Sequence, residues 1–328
     1  MKLEEIGFYT LSDERVRNAS MHSPLQRCEL ILTDKCNFNC SYCRGLREDL
    51  RGEIPFELAK TILEFWCGED LKNIRFSGGE PTLYLGLDRL VLFCKKNGVE
   101  RIALSTNGYS NLEYYKYLIK CGVNDISISL DACCATFGDS MCGVPGGWEI
   151  VTNNIRELAK LTYLTVGIVF TELTAHTIKD TINFASNLGV SDIRVIPAAQ
   201  HTKTNYVFQN IDIHLLEKHP ILKYRVNNFL SGKSVRGMTE LDYNKCPLVL
   251  DDMAVAQGYH FPCIIYMREY GNPIGDIYKG KPSKEIRRER KCWYLLHDVY
   301  KDKICKENCL DVCIDYNNKY NSSMKGVV

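Results

Sequence analysis

Between residues 28 and 197, six short β-branched runs alternate with longer segments of helical periodicity, and this alternation limits the possible folds more than any other feature. Strands are predicted at Cys28–Thr33, Asn73–Phe76, Arg101–Ser105, Asp125–Leu130, Leu164–Phe170 and Asp192–Ile196. Between them, Phe56–Phe65, Leu87–Lys96, Leu112–Cys121, Trp148–Leu161 and Thr177–Leu188 place apolar residues at three-and-four spacing, as amphipathic helices do. Asn97-Gly98, Cys121-Gly122 and Leu188-Gly189 stop helices ahead of the next strand. Repeated strand–helix units call for parallel strands joined by right-handed crossovers. Six units are too few to close an eight-stranded barrel. The predicted class is therefore α/β, a partial (β/α)6 TIM-like barrel over residues 28–205, with reactive groups on the loops after the strands' C-terminal ends.

Residues 1–27 then form an N-terminal arm, and 206–245 a polar connection with one helix, Ile221–Leu230. From Cys246 onward, short strand-like runs, glycine turns and six cysteines predict a small, metal-dependent, cysteine-rich C-terminal domain over 246–328. With 41 basic and 40 acidic residues the net charge is +1, so no global field draws nucleic acid or an anionic membrane. No apolar run approaches a membrane span. The N-terminus lacks a signal-peptide layout, which predicts a cytoplasmic, reducing location where clustered cysteines bind metal or do chemistry. Residues 279–291 hold seven basic and two acidic side chains. They read as a solvated helix face, with a patch for an anionic substrate or an acidic redox partner as the alternative.

The 16 cysteines are unevenly spread. Cys36, Cys40 and Cys43 sit just after the first strand in a CxxxCxxC spacing, where each could bind one iron of a cubane cluster. A [4Fe–4S] cluster normally takes four cysteines, and no fourth follows before Cys67, which lies in a helical pattern. One iron would keep an open site, as a catalytic centre does. Zinc is the alternative, although zinc sites favour a second pair of close ligands. The segment CNFNCSYC resembles the signature of the radical SAM superfamily. Ser77-Gly78-Gly79-Glu80-Pro81 is similar to that superfamily's GGEP motif, and Ser105-Thr106-Asn107-Gly108 and Ser129-Leu130-Asp131 resemble family positions at the next strand ends.

The resemblance implies that Cys36, Cys40 and Cys43 ligate a [4Fe–4S] cluster whose open iron is chelated by S-adenosylmethionine. One electron, from a donor such as flavodoxin or ferredoxin, would cleave the sulfonium bond to give a 5′-deoxyadenosyl radical. That radical would abstract a hydrogen atom from a peptide or small-molecule substrate. Gly78 and Gly79 would let backbone approach the methionyl end, with Glu80 accepting from its ammonium group and Pro81 beside it. Ser105 and Asn107 would line the cofactor pocket, and Ser129 and Asp131 would contact ribose. Tyr42 matches an aromatic position near adenine, with plain packing as its alternative. Val169 and Ile196, within 166–170 and 195–197, would lie against adenine. Gly146-Gly147 before Trp148 resembles the family's later glycine motif.

Cys246, eleven residues, Gly258, four residues and Cys263 resemble the opening of the SPASM and twitch extensions of radical SAM enzymes, and Gly275-Asp276-Ile277 is like their short strand. Cys305, Cys309 and Cys313 depart from the full SPASM spacing. The resemblance implies at least one auxiliary [4Fe–4S] cluster on Cys246, Cys263 and two of that trio. A second cluster with an open iron, or a zinc site, is the alternative. Cys28, Cys67, Cys94, Cys121 and Cys292 read as small buried hydrophobes. Cys133, Cys134 and Cys142 fall on the loop after the fourth strand, as packing residues or as a hydrogen-atom donor.

His176, His201, His214, His219, His260 and His297 show no metal-type spacing and read as surface or packing residues. Asp251-Asp252, Asp311 and Asp315 read as solvated or capping acids. The expected function is a radical SAM modification of a peptide or small molecule. The alternatives are a nucleoside or nucleic-acid base as substrate, and a non-catalytic Fe–S or zinc regulator, which would have no use for the GGEP strand end. The 27 residues ahead of the first strand are too few for the leader-binding domain that peptide-modifying members often carry.

Overall fold

A computed structural model describes residues 13–198, 208–277 and 281–325. His201, the 205/206 domain boundary and Lys279-Gly280 of the basic segment lie outside the described residues. Strands β1 (Arg27–Ile31), β2 (Asn73–Ser77), β3 (Arg101–Thr106), β4 (Asp125–Ser129), β5 (Tyr163–Phe170) and β6 (Asp192–Pro197) pair in parallel in sequence order. Around them run helices α1 (Asp13–Asn18), α2 (Phe56–Cys67), α3 (Leu87–Lys96), α4 (Leu112–Cys121), α5 (Ala135–Cys142), α6 (Gly147–Leu158) and α7 (Ile178–Asn187). The predicted partial barrel is present, and each predicted strand end is within two residues of the observed one. The short helix α5, in the loop after β4, was not expected. The connection carries two helices, α8 (Ile213–Lys218) and α9 (Pro220–Leu230), where one was predicted.

The C-terminal segment does not build a sheet of its own. Its β7 (Asp252–Ala256) lies parallel against β1, and β8 (Tyr259–Phe261) and β9 (Gly275–Asp276) continue antiparallel. The result is one nine-stranded sheet, β6-β5-β4-β3-β2-β1-β7-β8-β9. Helices α10 (Ile264–Arg268), α11 (Ser283–Leu296), α12 (Lys303–Asn308) and α13 (Asp311–Lys325) complete the segment.

Charge pairing explains why β7 docks there. Arg27 and Asp252 are opposite in register, and Arg27 Nη1 donates to both carboxylate oxygens at 3.0 and 2.9 Å. Asp251 pairs with Arg15 at 2.6 Å, and Asp311 is buried against Arg225. Asp251, Asp252 and Asp311 are thus buried ion-pair acids, not solvated ones; only Asp315, which takes Lys233 at 2.8 Å, is partly open. Arg290, 1% exposed, fastens α11 to this edge by donating to the carbonyls of Val249, Phe261 and Asp252 and to His260 Nδ1. Arg287 pairs with Glu69 and Lys281 with Glu289, so three of the basic segment's seven cations are consumed inside the fold.

Alternation along the strands sorts the two faces of the sheet. One face carries Leu30, Phe76, Leu104, Ile128, Val166 and Val195, all fully buried in the main core under the helices. The other, one residue out of phase, carries Glu29, Arg75, Ser127, Gly167 and Arg194. A closed barrel of this type fills its lumen with branched apolar side chains. This open one keeps a polar lumen, and the candidate site lies above it.

Candidate active site at the strand ends

The loop after β1 presents Cys36, Cys40 and Cys43 without disulfides, the first and last exposed. It is held from α5: Asn39 N–H donates to the Cys142 carbonyl at 2.9 Å and Ser41 N–H to that of Met141 at 3.3 Å. Phe38 packs its ring on Tyr109 at 5.2 Å. The Phe38 and Gly45 amides donate to the sulfurs of Cys36 and Cys43 at 3.4 Å. Burial pushes the Cys40 thiol up to about 12, and Asp131 and the neighbouring thiols push the same way. Thiolates in this loop need a cation of their own, and amide donors to sulfur suit an iron–sulfur cluster. Four thiolates around zinc would sit roughly 3.8 Å apart. Among the described residues the sole trio of ligating atoms within 4.8 Å of one another is His297, Asp302 and Cys305. Cys36, Cys40 and Cys43 form no such trio, so this loop does not gather them around a single ion, and its donors suit the larger cluster of the family.

Gly78 and Gly79 are required by the β1 loop itself. A Cβ on Gly79 would stand 2.3 Å from the Lys35 carbonyl oxygen, and one on Gly78, at φ +150°, 2.4 Å from that of Thr33. At this crossing Gly79 N–H donates to Thr33 and Glu80 N–H to Lys35, both at 2.7 Å. The two glycines therefore lock the cysteine loop onto the GGEP strand end, and both also face the cavity. Glu80 corrects an expectation: its side chain is 0% exposed and does not face the cavity. Its Oε1 accepts from Thr82 N–H (3.0 Å), Thr82 Oγ1 (2.6 Å) and Thr106 Oγ1 (2.7 Å), and its Oε2 from Asn107 N–H (2.7 Å). Burial raises its pKa against the pull of those donors. Pro81 is likewise buried, opening the 3-10 turn Pro81–Leu83. Both residues brace the β2 and β3 strand ends from behind.

A cavity of about 750 Å³ spans the strand ends and the lumen. Ser105, Asn107, Ser129, Val169 and Ile196 line it. Asn107 Nδ2 donates to Asn37 Oδ1 at 2.7 Å, beside the cysteine loop. Tyr42 and Asp131, expected at adenine and ribose, meet each other: the phenol donates to Asp131 at 2.5 Å, and Val169 N–H donates to its other oxygen at 2.7 Å. Burial lifts Asp131 to about 6 against those two donors. Of 166–170, Val166, Ile168 and Phe170 point into the core rather than the cavity. Cys142 lies on the cavity wall, whereas Cys133 is half-buried and Cys134 exposed at the start of α5. Trp148 lies over Gly138, where a Cβ would come within 2.2 Å of its ring, and Gly146 and Trp148 N–H cap the Asp139 carboxylate at 2.6 and 2.8 Å.

One pleat below these residues lies a group that the motifs did not reveal. Arg75 donates to Ser105 Oγ at 2.8 Å and stands 3.6 Å from Asp125, which also pairs with Arg101 at 3.2 Å. Arg194 reaches Ser127 Oγ at 3.3 Å, and its buried Nε has no hydrogen-bond partner. Burial, with the nearby charges of Arg75 and Arg225, pulls the Arg194 pKa down to about 10. The sequence signal was available: Arg75 and Arg194 are two residues before Ser77 and Ile196, in the same strand phase as the expected pocket residues.

The C-terminal segment closes the cavity. Cys263 and Cys313 line the same space as Cys36, Cys40 and Cys43. Cys246, Cys305 and Cys309 pack in one apolar cluster with Met238, Val299 and Ile314, and Cys246 also packs with Cys313. Burial and the Cys313 charge push Cys246 up to about 12 and raise Cys263 as well. Cys292, read as buried, is exposed and apart from these. Arg268, at the end of α10, donates to the Gly45 and Gly78 carbonyls at 3.0 and 3.2 Å, tying this segment to both site loops.

Residues 30–185 match the model of the Radical SAM superfamily. The probable GTP 3′,8-cyclase of Metallosphaera sedula is 27% identical over 181 residues, 53% of this chain and 56% of that protein. The GTP 3′,8-cyclase of Staphylococcus aureus is 27% identical over 273 residues, 79% of this chain and 69% of its own length. With 51% of the Staphylococcus saprophyticus enzyme also matched, the chain spans little more than half the length of the first of these relatives. Among solved structures, anSMEcpe with bound AdoMet superposes with a TM-score of 0.61 at 18% identity, covering 92% of each chain. Streptococcus suis SuiB bound to the precursor peptide SuiA gives 0.59 at 16%, covering 86% of this chain and 66% of that one. These two likenesses concern the fold. No described helix is long and apolar enough to cross a membrane. The cysteine loop, the glycine crossing beneath it and the matched model together identify residues 30–185 as a radical SAM domain, a family that implies a [4Fe–4S] cluster and S-adenosylmethionine.

Proposed function

We propose that this radical SAM enzyme acts on a small anionic substrate of the nucleotide class, held in the lumen between the two cysteine sets. The observation that carries this reading is Arg194, a lumen guanidinium with a buried, unpartnered Nε, crowded by Arg75 and Arg225. A buried donor without an acceptor costs about 1–3 kcal/mol, and a phosphate would satisfy it with charge-assisted bonds. The relatives named as GTP 3′,8-cyclases support a nucleotide over a peptide.

In this reading Cys36, Cys40 and Cys43 hold the catalytic cluster, and Cys246 and Cys263 with two of the closing trio hold an auxiliary one. S-adenosylmethionine bound there would supply a carbon radical able to take a hydrogen atom from the substrate, given an electron from a flavodoxin- or ferredoxin-type donor. The chain's own part is placement. The Gly78-Gly79 backbone sets the methionyl end, and Ser129 with the Tyr42–Asp131 pair bounds the nucleoside end. Trp148 and Met141 wall the cavity on the α5 side.

The test measures 5′-deoxyadenosine released anaerobically with dithionite and S-adenosylmethionine, alone and with GTP, ATP or guanosine. A nucleoside triphosphate is expected to accelerate release at least about tenfold, guanosine to have little effect, and Arg194→Met to need roughly 30-fold or more nucleotide, the loss of one buried charged contact. Nucleotides without effect on the wild type, or an Arg194→Met enzyme equal to it, would reject the assignment.

A further inference from the structure

We infer that His297, Asp302 and Cys305 form a mononuclear zinc site, separate from both cysteine clusters. On the proposed reading an auxiliary [4Fe–4S] cluster takes four thiolates, yet Cys246, Cys263, Cys305, Cys309 and Cys313 lie near one another in this segment, so one is surplus. Cys305 is the one whose sulfur lies within 4.8 Å of both a histidine nitrogen and a carboxylate oxygen. His297 Nε2 stands 3.2 Å from Asp302 Oδ2. It is buried and makes no well-aligned hydrogen bond. The separation is close to that of two ligands sharing a tetrahedral ion. Zinc–nitrogen and zinc–oxygen bonds of about 2.0–2.2 Å give an edge of roughly 3.3–3.5 Å between the ligand atoms.

The surroundings fix each ligand, as a metal site requires. The His297 ring stacks on Trp293 with centroids 4.1 Å apart and meets Tyr266 edge-on at 6.0 Å. Tyr266 donates its hydroxyl to Asp302 Oδ2 at 3.0 Å, and Asp302 Oδ1 caps α12 by accepting from Cys305 N–H at 3.0 Å. A nitrogen, an oxygen and a sulfur donor select zinc over magnesium or calcium, which take oxygen. The ion would clamp the end of α11 to the start of α12, immediately before Cys309 and Cys313. Those two, with Cys246 and Cys263, are left as the auxiliary set.

The full chain is reconstituted anaerobically with iron and sulfide, exposed to zinc sulfate and freed of excess metal. About one zinc per chain is expected beside the iron, and zinc-edge X-ray absorption should give one sulfur with nitrogen and oxygen neighbours near 2.0–2.1 Å. His297→Gln, Cys305→Ala and Asp302→Asn, the last retaining the capping acceptor, should each lose the zinc and keep the wild-type iron count. The inference is overturned by a zinc-free wild type, by an all-sulfur zinc shell, by zinc retained in both His297→Gln and Asp302→Asn, or by loss of about four irons in Cys305→Ala, which would make Cys305 a cluster ligand. The absorption measurement on the wild type holds even where a variant fails to fold.

Discussion

Replacing Gly79 with alanine tests whether the GGEP glycines act on the cysteine loop. The added Cβ would sit 2.3 Å from the Lys35 carbonyl oxygen and 2.5 and 2.8 Å from the Asp34 carbonyl oxygen and carbon. All three are backbone atoms, so no side-chain rotation relieves the clash. Normal contact requires the loop to retreat by about 1 Å, since carbon and oxygen rest above 3 Å apart. That retreat strains or breaks two bonds, Gly79 N–H to Thr33 and Glu80 N–H to Lys35, each now 2.7 Å long. At about 1 kcal/mol per net bond, plus desolvation of a buried donor left unpaired, the expected destabilisation is about 2–4 kcal/mol. For a chain of this size that lowers the melting temperature by roughly 3–6 °C. Lys35 precedes Cys36, so a displacement of about 1 Å reaches the ligand, where such a shift can lower the rate of 5′-deoxyadenosine release about a hundredfold. Gly98→Ala is the control, because it has nothing within 4 Å but a φ of +79°. It should cost about 1 kcal/mol and leave iron content unchanged. A Gly79→Ala protein that melts with the wild type and holds its full iron would refute the reasoning.

Two further outcomes follow from buried polar groups. Arg290→Met strips donors from three carbonyls and His260 at once, so urea unfolding should show a loss of about 3–5 kcal/mol, and a loss below about 1 kcal/mol would deny Arg290 its role in holding α11 to β7 and β8. Burial lowers the His219 pKa to about 4, with its Nε2 accepting from Ser186 Oγ at 2.9 Å. The folded form therefore resists a proton that the unfolded chain takes near pH 6.5. Its contribution is complete above that pH and is lost as pH falls toward 4, about 2 kcal/mol between pH 7 and 5. His219→Gln should flatten that part of the urea midpoint against pH, and an unchanged slope would contradict the assignment.

Local chemistry was legible in the chain, and long-range partnership was not. Strand ends announce themselves through a few adjacent residues, so the sequence alone places Cys36, Cys40, Cys43, Ser105 and Asn107 on one rim. Glu80 shows the limit of a motif: its position was right, but its carboxylate is committed to Thr82, Thr106 and Asn107 behind that rim. Asp251-Asp252 reads as a solvent-facing pair because its partners, Arg15 and Arg27, lie more than 200 residues earlier. The same distance hid β7, since a five-residue run beside cysteines gives no sign that it will extend a sheet begun at residue 27. Arg75 and Arg194 form a different case, because strand phase alone places them in the lumen. A charged residue alternating with fully buried apolar neighbours inside a predicted parallel strand cannot face the helices without stranding its charge. It must face the barrel interior, where Arg75 meets Asp125 at 3.6 Å but Arg194 Nε is left without an acceptor, the position the proposed anionic ligand would take.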